Sequence, residues 1–456
     1  MVMRAVSISA SPSTASYSDS VNPQWVRLLD LLQLNVSYER CQGAELWTRD
    51  GKHILDFLSG YCVANAGHNH PRIIAALHDE LDRRGPAMLQ SHVAERAGEL
   101  AARLCRLAGG RLRKVFFACS GSEGVESAIK FARAHTGRGG ILVADNGFHG
   151  LTLGALSLMP EGMWKDPFGP FLPGVTRVPF DDVEALRAAL ATGQYAAFIT
   201  EPIQAEAGIR VPGKNYLREA GALCRRYGSM FVIDEVQTGM FRTGPFLAGQ
   251  HFAAEPDIVV MAKALSGGLV PCSAVLMTDP IYDSVYGSLE KSISHTSTFS
   301  ENGLAMRAGL ASLDVLEDER LGARAAESGE YLRDRLRAVT RGHSMVRDIR
   351  GQGLLNGIEF AAPRELLLRA PFEAFRKIHP AMFGQVLVVY LFRDHGILTQ
   401  ICGNNFMVLK AAPPLVVERE HLDHFVDAIA ELVERMHHPG KFWAEALSIA
   451  GRAARI

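Results

Sequence analysis

Four short stretches carry the side chains best suited to chemistry, and each follows a run of apolar, strand-forming residues. After 115–118 come Cys119-Ser120-Gly121-Ser122-Glu123-Gly124 and then helix-compatible sequence. Small residues let backbone N–H groups approach an anion, and a helix start favours negative charge. The same residues also serve simply to cap a helix. After 141–145 come Asn146-Gly147-Phe148-His149-Gly150, an aromatic and a histidine that suit one wall of a flat ligand's site or ordinary packing. After 230–233 come Asp234-Glu235-Val236-Gln237, which also describes the acidic strand of a nucleotide hydrolase. That reading needs a G-x-x-x-x-G-K-[ST] loop. The Gly-Lys pairs, at Lys52, Lys214 and Lys441, are followed by His, Asn and Phe, so the hydrolase reading fails. After 258–261 come Ala262-Lys263-Ala264-Leu265-Ser266-Gly267-Gly268. Lysine is rarely buried unpaired. Desolvation lowers its pKa, and a neutral amine attacks carbonyls; a strand-end lysine reaching solvent is the plainer alternative.

The elements that must position these residues can be placed from the spacing. Apolar, β-branched-rich runs at 115–118, 141–144, 196–200, 230–233, 258–261 and 274–277 alternate with helix-compatible stretches such as 124–134, 182–190 and 216–227. This predicts an α/β fold with a mainly parallel sheet, buried on both faces, filling roughly 85–320. Ligands of open α/β sheets collect at the carboxyl ends of strands. An anion cup, an aromatic wall, an acid and an amine therefore converge. Pyridoxal phosphate needs these features: N–H donors for its phosphate, a stacking face, an acid partner for its ring nitrogen and an amine for its aldehyde.

The chain ends read differently. Residues 44–58 look like two strands turning at Asp50-Gly51. Helical spacing dominates 304–340 and 419–437, with strand-like pieces around 354–360, 386–392 and 406–411. A smaller α+β domain drawn from both ends is expected. The predicted division is a flexible tail at 1–20, a segment at 21–84 joining the small domain, a large cofactor-binding domain at 85–320, and the rest of the small domain at 321–456.

Composition bounds the function. The 456 residues are 48% hydrophobic with a formal net charge of −1. That suits a globular core and offers no global attraction to nucleic acid or anionic membrane. The densest apolar run, 386–392, is too short to cross a bilayer. Seven cysteines, scattered singly and without a C-x-x-C pair, suggest a reducing compartment. The serine-rich start lacks a signal-peptide core, so a cytoplasmic protein is expected, with a transit peptide as the weaker option. No H-E-x-x-H or G-x-S-x-G motif occurs. His68-Asn69-His70 has metal-like spacing, and His421 and His424 fall at i, i+3, but no metal is expected at either.

The chain resembles the class III aminotransferases (ornithine, acetylornithine, putrescine and 4-aminobutyrate types) over roughly 40–435. The resemblance is carried by Gly67-His68-Asn69-His70-Pro71, Ser120-Gly121-Ser122-Glu123, Phe148-His149-Gly150, Glu201-Pro202-Ile203-Gln204-Ala205-Glu206-Ala207-Gly208, Asp234-Glu235-Val236-Gln237-Thr238-Gly239, Ala262-Lys263 to Gly268, Thr298-Phe299 with Asn302, and Arg350-Gly351-Gln352-Gly353. It implies fold type I of the pyridoxal-phosphate-dependent transferases, with a seven-stranded sheet in the large domain. It implies that Lys263 forms the internal aldimine and Asp234 pairs with the pyridine nitrogen. Phe148 would stack on one ring face and Val236 pack on the other. Gln237 would lie near the ring hydroxyl, with His149 also at the cofactor. Gly121 and Ser122 would hold the phosphate. Thr298 would reach the phosphate of a neighbouring subunit, implying a homodimer with shared active sites. The implied reaction is ping-pong transamination, in which the freed Lys263 amine moves the proton.

Two positions depart from the family. Members handling α-amino acids often carry Arg after Phe-(His/Trp)-Gly, where this chain has Leu151. A second family Arg, shortly before Pro-Pro-Leu, is replaced by Lys410, and Glu206 stands where its glutamate partner is kept. Arg grips a carboxylate with a two-pronged fork that Leu lacks and Lys does poorly. The expected substrates are therefore small-molecule amines without a carboxylate beside the reacting carbon: a terminal amine, a polyamine or a long-chain intermediate. The carbonyl partner is an aldehyde or oxo acid. Tyr61 and Trp164 are further candidates for the substrate pocket. An aminomutase, a racemase or a decarboxylase would share Lys263 and Asp234, and a non-catalytic cofactor-binding protein is the alternative outside enzymes.

Overall fold

The computed structural model describes residues 12–453 apart from 90, 379, 380 and 439. Its largest sheet has seven strands in the order Lys114–Ala118, Ser273–Met277, Ile258–Met261, Met230–Asp234, Tyr195–Thr200, Gly140–Ala144 and Val175–Val178. Ser273–Met277 runs antiparallel to both neighbours, and the other contacts are parallel. Every residue of Tyr195–Thr200 is buried. Helices cover both faces of such a sheet, so its strands read as continuous apolar runs rather than alternating ones. Val175–Val178 escapes sequence reading because this edge strand is short and only Val178 is buried.

Two smaller sheets flank the large one. Val346–Gln352, Leu355–Phe360, Asn405–Ala411 and Ile401–Cys402 form an antiparallel sheet. Tyr38–Gln42, Glu45–Thr48 and His53–Asp56 form a meander that ends on Ile397–Leu398, paired parallel to His53–Asp56. The hairpin at Asp50-Gly51 forms as expected, with Gly51 at φ +84. Arg242 fastens these parts together. Fully buried, it donates to Leu354 O, Pro413 O and Asn65 Oδ1. One guanidinium thus satisfies acceptors from three distant segments that would otherwise be stranded.

Two sequence expectations need correction. Residues 386–392 are not a strand but the middle of helix Met382–His395. Every residue from Val386 to Phe392 is buried. A helix packed on all sides loses its 3.6-residue periodicity, so length and period cannot separate it from a buried strand. The expected tail at 1–20 falls partly outside the described residues; Pro12–Ser20 is helical. Proline is tolerated in a first helical turn, and this helix packs on the next one, Pro23–Leu31. No helix among the described residues is long and apolar enough to cross a membrane.

Candidate active site

The carboxyl ends of the sheet strands open on a cavity of about 480 Å³. Lys263 enters it directly after Ile258–Met261. Its φ of +48 lies in the left-handed region, which is costly for a residue with a Cβ. Gly267 helps to hold this turn: its φ is +65, and a Cβ there would fall 2.6 Å from Ile73 Cδ1. Lys263 Nζ lies 3.5 Å from Gln237 Oε1. The side chain is half-buried rather than fully enclosed as expected, because it projects into open cavity space.

The anion cup comes directly after Lys114–Ala118. Ser120 caps helix Gly121–Thr136 by accepting from Glu123 N at 3.2 Å, and Glu123 Oε2 accepts from Cys119 N at 3.0 Å. The first helical N–H groups are left facing the cavity, where an anion would meet the positive end of a helix of 16 residues. Gly121 keeps that mouth open: a Cβ there would lie 2.8 Å from Val236 Cγ1. Gly150, at φ +120, lets Ser122 approach, and Ser122 Oγ accepts from Thr152 N at 3.0 Å.

A buried acid lies across the cavity. Asp234, 4% exposed, accepts from Val236 N through Oδ1, and its Oδ2 lies 2.8 Å from His149 Nδ1. Each carboxylate oxygen has a second lone pair, so Asp234 can still accept from a ring N–H. Burial by itself lowers the His149 pKa, but its bond to Asp234 and the nearby Glu201 charge outweigh this, and the net direction is upward. Glu201 is pushed up to about 7, first by burial and then by Asp234. Its two oxygens accept from Phe148 N at 2.9 Å and Ala205 N at 3.0 Å, so it sets the Phe148 loop in place. Glu201 belongs to one of the family-like motifs, yet sequence reasoning gave it no role. Its position one residue beyond a fully buried strand is the signal that could have found it.

A second, outer chamber of about 500 Å³ meets the first at Lys263, Gln237 and Phe148. Glu206, Tyr61, Leu151 and Trp164 line it. Trp164 crosses the Phe148 ring edge-on at 5.8 Å and donates to Asn404 Oδ1 at 3.2 Å. Leu151, also lining the chamber, is 52% exposed. Lys410 is fully buried, bonded to Glu206 Oε1, with its Nζ 4.6 Å from the Tyr61 ring centre. Glu206 Oε2 accepts from Gly403 N at 2.8 Å. Burial opposes both charges, and the pairing overcomes it: Glu206 is held below the usual carboxylate range and Lys410 is raised to about 12.

Lys263, Asp234, Gly121, Ser122, Phe148, His149, Val236 and Gln237 all line the inner cavity. Thr298 does not; it is exposed in the segment before helix Gly303–Asp318. His68 is engaged by Asp56 at 2.7 Å and His70 caps helix Pro71–Arg83, while His424 meets His395 O at 2.8 Å. Among the described residues no group of three or more His, Cys, Asp or Glu is placed for a metal. The outer chamber also takes Trp25, Leu28, Leu29 and Leu32, which sequence reasoning missed. Their i, i+3, i+4, i+7 spacing is the signature of one helix face.

The inner cavity fits pyridoxal phosphate. Besides the cup, the acid, the aromatic ring and the amine, Gln237 Nε2 is buried there without a partner, a donor suited to a ring oxygen. Residues 30–433 match the family described as aminotransferase class-III. The aminotransferase PigE of a Serratia species is 35% identical over 92% of this chain, and the chain spans about half (53%) of that relative's length. The Toxoplasma gondii ornithine aminotransferase, solved with partial occupancy of pyridoxal phosphate at its active site, is 30% identical, with a TM-score of 0.78 over 94% of this chain and 100% of its own. Acetylornithine aminotransferase from Elizabethkingia anophelis is 32% identical, with a TM-score of 0.72 over 91% of this chain and 99% of its own. The chain belongs to the class-III aminotransferases, a family of enzymes that depend on pyridoxal phosphate.

Proposed function

We propose that this protein moves an amino group between a primary amine lacking a carboxylate beside its reacting carbon and an aldehyde or oxo-acid acceptor, in two half-reactions at one site. One observation carries the substrate class. Of the two carboxylate-binding positions seen in family members, one is Leu151 and the other is Lys410, whose Nζ is spent on Glu206 under the Tyr61 ring. Among the described residues lining the chamber, an α-amino acid would find no free cation other than Lys263. An oxo-acid acceptor would have to compete with Glu206 for Lys410.

When bound, the cofactor supplies an aldehyde that takes up the amino group and a cationic ring that stabilises charge on the carbon losing its proton. The chain's own residues supply the rest. The N–H groups of Gly121 and Ser122 bind the phosphate. Phe148 and Val236 confine the ring, and Gln237 Nε2 donates towards its hydroxyl. Asp234 holds a proton at the ring nitrogen, oriented by His149. Lys263 Nζ would anchor the cofactor covalently and, once the substrate amine has displaced it, would take a proton from the amine-bearing carbon and return one. Thr298, exposed in this chain, would complete the phosphate site of a second copy, making the working unit a cytoplasmic homodimer. The parallel pairing of His53–Asp56 with Ile397–Leu398 supports grouping 21–84 with 321–456 as the smaller domain around a cofactor-binding unit at 85–320.

The test is a half-reaction panel monitored by loss of the bound-cofactor absorbance. Putrescine and simple alkylamines should convert the cofactor faster than L-ornithine used through its α-amine. Conversion of α-amino acids far ahead of every terminal amine would overturn the substrate reading.

A further inference from the structure

The outer chamber leads from Lys263 to helix Pro23–Leu31. This helix begins at Asn22, whose side chain accepts from Trp25 N at 3.0 Å, with Pro23 in its first turn. None of its residues is buried by the rest of the chain. Trp25 is 47% and Leu28 42% exposed, and both face the chamber together with Leu29 and Leu32. Other lining residues are also apolar, with Leu151 and Met163 exposed among them.

Charge is confined to one end. Among the chamber's lining residues the charged ones are Lys263 and Glu206, and Glu206 is neutralised by Lys410. Gln385 Nε2 donates to Gln400 Oε1 at 3.0 Å, which leaves Gln385 Oε1 as a neutral buried acceptor without a partner. A second carboxylate on the substrate would therefore lose its hydration without gaining a cation, and a second ammonium would exchange its hydration for one neutral acceptor, Gln385 Oε1. An alkyl chain would lose nothing and would remove apolar wall from water.

We propose that the amine this site serves carries a long uncharged alkyl tail, laid along the outer chamber against the Trp25–Leu28–Leu32 face while its amino end reaches Lys263. This rests on the proposed function and narrows it: the long-chain option is preferred over the diamine and polyamine options. Each methylene buried should add about 0.8 kcal/mol, or about fourfold.

Two measurements on the full-length holoenzyme separate this inference from the reading beneath it. In the first, straight-chain amines from butylamine to dodecylamine are compared in the half-reaction. The rate constant per concentration should rise about fourfold per methylene until the chamber is filled, with putrescine well below hexylamine. In the second, straight-chain primary alcohols, which cannot react, are titrated and binding is read as a melting-temperature shift. Their affinity should rise with the same slope. Trp25→Asp with Leu28→Asp, both on a half-exposed face, should flatten both slopes in protein that keeps the wild-type melting curve. If butylamine reacts but dodecylamine is no faster, or putrescine matches hexylamine, the tail assignment falls and transamination stands. If no amine reacts yet alcohol affinity climbs with length, transamination falls and the tail site stands. If the double variant keeps both slopes and instead loses self-association, the face belongs to a second copy and the inference is overturned.

Discussion

The inner cavity and the outer chamber adjoin at Lys263 but are built in opposite ways. Around the inner cavity, polar groups hold one another: Asp234 is fixed by His149 Nδ1 and Val236 N, the Phe148 backbone N–H by Glu201, and Ser120 Oγ by Glu123 N. In a low-dielectric site such fixed dipoles need no reorganisation during reaction. Around the outer chamber the walls are exposed leucine, methionine and tryptophan, contributed by distant segments. Apolar contact is non-directional, and volume-conserving changes are tolerated. In the proposed reading, chemistry is set by the hydrogen-bonded network and substrate choice by a surface that can vary without disturbing it.

That contrast breaks most severely at Lys263. Lys263→Ala should lower turnover by about 10⁴-fold or more, measured under saturating amine, while the melting curve moves little; retained turnover would remove the lysine from its assigned role. Lys410→Met comes next, because it leaves the Glu206 carboxylate buried and unpaired. A cost of about 3–5 kcal/mol is expected at neutral pH. The sign comes from the pair. Glu206 sits below its ordinary value of 4.5, so its contribution is present above that pH and is lost as pH falls through the folded value. Lys410, raised to about 12, contributes below 10.5 and loses this at higher pH. The melting-temperature gap between wild type and variant should therefore be small well below pH 4.5, where Glu206 is protonated, and open on going to about pH 8. A gap that is constant with pH would show that the pair carries no buried charge.

Gly121→Ala should weaken cofactor retention by about ten- to a hundredfold through the overlap with Val236, read by dialysis against the apoprotein. Unchanged retention would mean the cup tolerates a Cβ and is not shaped for a close-bound phosphate. The smallest effect is expected in the outer chamber. Leu151→Arg should raise the rate with carboxylated amines about tenfold, the worth of one charge-assisted hydrogen bond, and lower that with alkylamines. No gain with carboxylated amines would place the specificity elsewhere.

The same contrast explains what the sequence disclosed. The inner cavity was legible because each contributor comes after a continuous apolar strand, so Asp234 and Lys263 could be located from where Met230–Asp234 and Ile258–Met261 end. Parallel sheets buried on both faces leave that pattern strongly. Glu201 was passed over because its partners are backbone N–H groups, which no residue type advertises. The outer chamber was largely illegible. Its walls come from 25–34, 148–164 and 385–406, joined only by tertiary packing. The helix Met382–His395 that supplies Gln385 was misread as a strand because it is apolar all round. The Glu206–Lys410 pair was found only through family resemblance, since the two residues stand far apart in the chain.

Both chambers meet at one amine, Lys263 Nζ, which is proposed to hold the cofactor. Borohydride reduction of the cofactor-loaded protein, then proteolysis and mass spectrometry, reads this attachment without relying on turnover. A pyridoxyl phosphate mass is expected on the peptide carrying Lys263 and on no other lysine peptide, and it should vanish in Lys263→Ala. Labelling of another lysine, or of none in protein shown to contain the cofactor, would refute the assignment.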